Sequence, residues 1–380
     1  MKTSSLVVVL FTTILAYSTF YMPQPMLPLI AAEFGVEATD AALLIAVTML
    51  PLGFAPIFYG YLTEYVATKN LLLVTVALLT ITQLALGLVS TFWALVVLRF
   101  SQGLLLPAIF TSLMTYSAQT ASVSRVRNAI NIYISATIFG GFAGRIFGGV
   151  LSDVSTWRTP FLLSSALLLI ASLLLLTLHE EDRSESGKIE LNTAKDILRQ
   201  PFYRDAYFCI FLVFFVFASM LNYLPFRLKM LDPSVSESVV SLVYLGYLSG
   251  SLIAFNGTRV AGWFGGELRG ISAGLLLLGV AIGSTLFSQL IGTMVIAFVM
   301  CAAFFLLHSL LAAYINHHTR SSRGVVNGMY LSFYYSGGAL GGWLPGYLYR
   351  SGGWDAYIVA LLALLSLAAW WLWRLRKVAE

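Results

Sequence analysis

Gly140-Gly-Phe-Ala-Gly-Arg-Ile-Phe-Gly-Gly149 returns 197 residues later as Gly337-Gly-Ala-Leu-Gly-Gly-Trp-Leu-Pro-Gly346. The same offset carries Tyr133 onto Tyr330, Ser135 onto Ser332 and Trp157 onto Trp354. Glycine at this density inside an apolar run lets two helix backbones approach closely. An offset of about half the chain points to a duplicated structure. Chance similarity of two glycine-rich stretches is the competing explanation. The tryptophan placed at the same distance beyond each stretch argues against it.

Working outward, the surroundings are apolar throughout. Of 380 residues, 59% are hydrophobic and 10% charged. A soluble chain carries roughly 25% charged residues. The apolar residues fall in runs of about 20, enough to cross ~30 Å of hydrocarbon as a helix. Without water the backbone must bond to itself, so such runs are helical. Twelve spans are expected: 6–30, 41–61, 70–89, 92–116, 128–151, 160–178, 206–228, 239–260, 269–288, 291–316, 324–348 and 355–373. The fold class is therefore an all-α membrane protein of two pseudo-symmetric six-helix bundles. Residues 1–178 form the first bundle, 179–205 a cytoplasmic linker and 206–380 the second. The glycine stretches then lie in the fifth span of each half.

Charge gives the orientation. With the N-terminus inside, sixteen Lys and Arg residues fall in cytoplasmic segments and four outside. That bias follows the positive-inside rule. It accounts for the net charge of +5 without nucleic acid. Both termini are expected in the cytoplasm, in a bacterial inner membrane. The first run is too long, and too rich in proline (Pro23, Pro25, Pro28), for a cleaved leader. Cys209 and Cys301 lie within apolar runs and suggest neither a disulfide nor a metal site. No phosphate-cradling loop, catalytic triad or metal-ligand spacing occurs. No cofactor, metal, enzyme activity or ATP-binding domain is expected, and a monomer is.

Several motifs sit where one transporter family has them. Gly60, Glu64 and Lys69 follow the second span. Arg99-Phe-Ser-Gln102-Gly103 lies in the fourth. Gly140, Gly144, Gly148 and Gly149 lie in the fifth, with Gly337 and Gly341 in the eleventh. In these residues the chain resembles the major facilitator superfamily. Gln24-Pro25-x-Leu27-Pro28, Gly144-Arg145, Asn222-Tyr223 and His308-Ser309 resemble its arabinose-efflux-permease-like, proton-antiporter subgroup. Three departures stand out: Glu64 replaces an aspartate, one expected basic residue of the same loop is missing, and Arg145 replaces the proline of the antiporter motif. The resemblance implies a central cavity between two bundles that rock in alternation.

The chemistry rests on polar groups deep in the spans. Arg99, Arg145 and His308 each cost energy in hydrocarbon, so each faces protein or water. A guanidinium fork suits a carboxylate or phosphate on a solute. The alternative is that each arginine binds carbonyls freed at proline and glycine kinks. Glu33 and Asp153 are the nearest candidate counter-ions. His308 titrates near neutral pH and is a candidate for proton coupling together with Arg99. Tyr17, Tyr21 and Gln24 share one helical face, and Tyr330 and Tyr334 lie on another. With Asn222 they suit a solute of mixed character, or they pack the helices. The expected partners are a small solute, protons and the bilayer. The function expected is proton-driven export of an anionic, sugar-like or mixed polar and apolar solute. Uptake or exchange of an organic anion is the alternative. A non-transporting sensor or assembly factor is the reading from another class.

Overall fold

The computed structural model describes the backbone of residues 3–119, 126–178 and 191–379. Side chains 3–4, 55–65, 118–119, 126–128, 131, 191–192, 258 and 379 fall outside that description. All described elements are helical.

The first span is broken into α1 (Thr3–Tyr21) and α2 (Leu27–Phe34) around a 3₁₀ turn at Gln24–Met26. Proline explains the break, because Pro23 has no N–H to give the Thr19 carbonyl four residues back. Then come α3 (Ala38–Tyr65), α4 (Thr68–Leu88), α5 (Phe92–Gln119), α6 (Val126–Val154) and α7 (Thr159–Leu175). The short amphipathic α8 (Leu191–Arg199) lies in the segment expected to be linker, and α9 (Pro201–Leu231) begins the second set. The eighth span differs from the single helix expected over 239–260. It comprises α10 (Glu237–Ser241), a 3₁₀ turn at Leu242–Leu245, α11 (Gly246–Phe255) and α12 (Gly257–Trp263). Gly246, Gly250 and Asn256-Gly257 give this stretch little helical preference of its own. The remaining helices are α13 (Glu267–Ser284), α14 (Leu290–His318), α15 (Arg323–Gly341) and α16 (Gly346–Ala379), the last interrupted at Gly353 with φ +68°.

Among the described residues, nine helical stretches are long and apolar enough to cross a membrane. Ala38–Phe54 and Thr159–Leu175 are shorter apolar helices. The twelfth, α15, is too polar to qualify by composition. Its position explains this: it packs between α9 and α3 rather than against lipid.

Packing repeats between the halves. Helix α1 lies on α6 as α9 lies on α15, and α3 lies on α5 as α11 lies on α14. The repeat extends to single atoms. A Cβ on Gly140 would stand 2.6 Å from the Ile14 carbonyl oxygen, and one on Gly337 would stand 2.2 Å from that of Phe211. Gly144 meets the Ser18 carbonyl and Gly341 that of Phe215 in the same way. Each pair of contacts is again 197 residues apart. Tyr133 Oη donates to the Phe110 carbonyl at 2.9 Å, and Tyr330 Oη to that of His308 at 3.3 Å.

The halves meet through α3 with α15 and α6 with α10. The end of the molecule that carries the chain termini is called the terminal end below, and the opposite one the distal end. Distal contacts are close. Gly149 presses on Ser241 and the Glu237 carbonyl, and a Cβ on Gly346 would lie 2.7 Å from Thr39 Oγ1. Towards the terminal end, a groove of about 490 Å³ separates Ile134–Phe142 of α6 from Leu248–Phe255 of α11.

Candidate functional site

A cavity of about 160 Å³ lies where the halves meet, lined by Tyr17, Tyr21, Tyr247, Tyr334, Tyr335 and Phe304, with Thr137, Ile138, Gly141 and Phe305. Five helices supply the walls: α1, α6, α11, α14 and α15. Several rings are held flat by stacking, with Tyr17 on Phe110 at 3.9 Å and Tyr334 on Phe214 at 3.6 Å. Rings fixed this way present rigid apolar faces with a hydroxyl at the rim. No carboxylate is among the lining residues.

Arg145 closes the distal side of this cavity. It is fully buried. Its guanidinium carbon lies 4.0 Å from the Tyr21 ring centre, 4.4 Å from that of Tyr247 and 5.0 Å from that of Tyr244. Its N–H groups donate to Gln24 Oε1 at 2.5 Å, the Gly141 carbonyl at 2.8 Å and Tyr247 Oη at 3.1 Å. The Gln24 amide then donates to Asn222 Oδ1 at 2.7 Å, and the Asn222 amide to the Gly342 carbonyl at 3.1 Å. This chain of bonds crosses from the first half to the second twice, at Tyr247 and at Asn222. A buried cation without an acidic partner among the described residues is thus carried by aromatic faces and neutral acceptors, an arrangement strengthened by desolvation.

Arg99 stands apart from the cavity and from Arg145. It donates to the carbonyls of Thr19 (3.0 Å), Phe20 (2.7 Å) and Leu44 (2.8 Å) and to Gln102 Oε1 (2.7 Å). Thr19 is the residue whose carbonyl Pro23 leaves without a helical donor. Gln102 passes the chain to Gln83 at 2.6 Å, and Gln83 to Ser164 at 2.7 Å. The geometry is that of an arginine stitching a kinked helix to its neighbours.

His308 lies beside the cavity on α14, with Nδ1 2.8 Å from Tyr330 Oη and its ring stacked on Phe304. Neither candidate counter-ion reaches the arginines. Glu33 receives hydrogen bonds from Trp157 Nε1 and from Arg158, the latter at 2.5 Å. Asp153 lies against Ser236 and Ser238 across the distal seam.

The residues expected from sequence therefore fall in four places. Tyr17, Tyr21 and Tyr334 line the cavity. Gln24, Arg145 and Asn222 form its distal closure, with Tyr330 and His308 paired at its edge. Arg99, Gln102 and Gly103 belong to the packing of α5, where a Cβ on Gly103 would lie 2.6 Å from the Thr48 carbonyl. Gly148 packs on the Met22 carbonyl in the same manner. Lys69 stands in the first turn of α4. The Gly60 and Glu64 environments lie outside the described residues. Sequence reasoning passed over Tyr247, Tyr335, Phe304 and Phe305. Their signal was weak: Tyr244 and Tyr247 are spaced as one helical face, in a span that turns out to be broken. It also placed Asp205 in the linker, whereas this carboxylate is buried between Arg204 (3.1 Å) and Arg374 (3.2 Å).

Known proteins agree with this architecture. Residues 9–341 match the model of the Major Facilitator Superfamily. The inner membrane transport protein YnfM of Escherichia coli (strain K12) is 26% identical over 359 residues, covering 93% of this chain and 85% of that one. The multidrug efflux protein YfmO of Bacillus subtilis (strain 168) is 25% identical over 346 residues, 90% of this chain and 85% of that one. In three dimensions the chain superposes with a TM-score of 0.82 on a bacterial homolog of the human lysosomal transporter Spinster, captured inward-facing and occupied. That pair shares 16% sequence identity over 98% of this chain and 96% of the other, a likeness of fold. With a family match over most of its length and a paired-bundle structure to support it, this multi-pass membrane protein belongs to the Major Facilitator Superfamily of transporters.

Proposed function

We propose that the chain is a secondary transporter exporting a small solute of mixed aromatic and polar character, by alternating access and in exchange for protons. The observation that carries this reading is the tyrosine-walled cavity between the halves, closed distally by the Arg145–Gln24–Asn222 chain. A site between two packed bundles, shut on one side and flanked by a groove on the other, suits a rocking mechanism. The two moving bodies are residues 1–178 and 206–380, joined through 179–205, in a monomer. Sixteen basic residues fall in the segments that the sequence assigns to the cytoplasm, the side on which both termini lie, so the terminal end faces the cytoplasm. The state described is then closed to the outside. The efflux relative favours export. The absence of a carboxylate among the lining residues disfavours a cationic solute. Rigid ring faces favour a planar one.

His308 is the group we assign to proton exchange, since an imidazole can take up and release a proton and this one touches two rings of the cavity wall, Phe304 and Tyr334. Arg99, fixed by four acceptors, holds the kink beside the path.

The test uses proteoliposomes with an imposed pH gradient and three labelled probes: benzenesulfonate, phenyl β-glucoside and phenyltrimethylammonium. The anionic or the neutral probe should accumulate on the acidic side, and the cation should not. His308→Gln, which keeps a polar partner for Tyr330, should retain probe exchange at equal pH and lose gradient-driven accumulation. Accumulation that ignores the gradient in wild type would exclude proton exchange. Transport of none of the three would exclude the aromatic-solute reading. One observation favours a second reading, uptake of an organic anion: Arg145 lies immediately behind Tyr21 and Tyr247. Accumulation of benzenesulfonate on the alkaline side would establish it.

A further inference from the structure

The two halves repeat one another closely at α1–α6 and α9–α15, but they differ where their outer helices pair. In the first half, α4 and α7 are stitched together. Gln83 donates to Ser164 at 2.7 Å, and Thr80 and Ser172 hydroxyls stand 3.5 Å apart. A Cβ on Gly87 would lie only 2.6 Å from Leu162. The counterpart pair in the second half is α13 and α16. These helices touch near the distal end, where Trp354 Nε1 donates to the Thr285 carbonyl at 3.3 Å. Below that point they part. A Cβ on Gly283 would meet only Leu362, at 3.7 Å, and one on Gly279 only Leu365, at 3.9 Å.

The result is an outward-facing groove of about 480 Å³. Its walls are Leu275, Leu276, Val280, Leu362, Leu365 and Leu372, among others. Two serines border it, but each is satisfied by its own helix: Ser272 donates to the Leu268 carbonyl and Ser366 to that of Leu362. From Leu362 to Arg376 the groove follows 15 residues of helix, 14 rises of ~1.5 Å or about 21 Å. That exceeds half of a ~30 Å hydrocarbon core, so it spans one leaflet.

Its terminal mouth is aromatic and basic. Trp373 and Arg376 line it, and Lys377 Nζ sits 3.8 Å over the Trp373 ring. Arg374, on the same turn, is neutralised by Asp205 at 3.2 Å. Among the described residues, neither Arg376 nor Lys377 has a carboxylate partner. An apolar channel one leaflet deep, beneath two cations without a carboxylate partner among the described residues, matches an anionic amphiphile. We propose that the α13–α16 groove binds an anionic phospholipid, with an acyl chain between the helices and the phosphate at Arg376 and Lys377. Cations at this depth attract anionic headgroups, and tryptophan is suited to the headgroup level.

Native mass spectrometry of the detergent-purified full chain tests this, with phosphatidylglycerol and phosphatidylcholine of identical acyl composition. Wild type should retain phosphatidylglycerol preferentially. Arg376→Gln with Lys377→Gln should abolish that preference, at about five-fold per charge removed. Ala369→Phe, which fills the groove from α16 while leaving the cations, should lower retention of both lipids. Equal retention of the two lipids by wild type would overturn the proposal. So would an undiminished preference in a folded charge variant. Unchanged retention in a folded Ala369→Phe protein would place the chain elsewhere and equally overturn it.

Discussion

The Nε–H of Arg145 decides which end of the Gln24 amide accepts, and the bonds beyond it follow in sequence. With Oε1 facing Arg145, the Gln24 amide nitrogen faces Asn222 Oδ1, and the Asn222 nitrogen in turn faces the Gly342 carbonyl. Every donor in the chain points one way. Gln24→Glu separates the two functions of this residue. A carboxylate still accepts from Arg145 but has no proton to give Asn222, whose carbonyl oxygen is then left against an acceptor. Leaving such a buried group unpaired costs about 1–3 kcal/mol. The balance between closed and open distal states should shift by roughly 5- to 150-fold. Maleimide labelling of a Thr39→Cys reporter, at a buried distal position, measures it. Labelling should accelerate in the Gln24→Glu background. An unchanged rate would mean that the amide pair does not hold the distal side shut.

Among the helices, the glycine crossings give the sharpest expectation. Alanine at Gly341 would put a Cβ 2.0 Å from the Phe215 carbonyl oxygen, and alanine at Gly144 would put one 2.4 Å from that of Ser18. Both obstacles are backbone, so the helices themselves must separate. Each substitution should cost about 1–3 kcal/mol in thermal unfolding. Gly262→Ala is the control, because nothing lies within 4 Å of its would-be Cβ. There alanine removes a flexible helical glycine and should be neutral or stabilising, by up to about 1 kcal/mol. Equal losses in all three would refute the close-approach account. These crossings were legible in the sequence, because the motif repeats at a fixed offset and glycine has few other reasons to recur there. The break in the eighth span was not legible. Hydropathy registers that a stretch is apolar, and Leu242–Phe255 is apolar whether or not it is one helix. Losing that break also lost the phase of the helix, and with it the direction of Tyr247. The polar groups fared better. Tyr17, Tyr21, Gln24, Arg145 and Asn222 announced themselves because membrane burial makes each polar atom need a partner. Which partner each one found depended on tertiary packing, and Arg99 in its carbonyl nest could not be told from Arg145 in its aromatic one.

For the molecule as a whole, the distal seam is a surface that must part if the halves rock. Ala46 on α3 and Gly342 beside α15 face each other across it, and a Cβ on Gly342 would stand 3.7 Å from that of Ala46. This is within the 3.5–4.5 Å range of a disulfide. Ala46→Cys with Gly342→Cys, in a background where the buried Cys209 and Cys301 are serine, should cross-link on mild oxidation once the Asn222 amide yields. Probe exchange across the membrane should stop and then return on reduction. Continued exchange by the fully cross-linked protein would show that the seam does not open during the cycle.

The amide pair at Gln24 and Asn222 has an electrical corollary. Its two members are 198 residues apart, close to the repeat offset, so they meet near the axis relating the halves. Neither carries a formal charge or exchanges a proton at physiological pH. Pulling them apart therefore displaces no gating charge through the membrane field, and that step should be indifferent to voltage. Any dependence of turnover on membrane potential must then enter with Arg145, the cargo or the coupling ion.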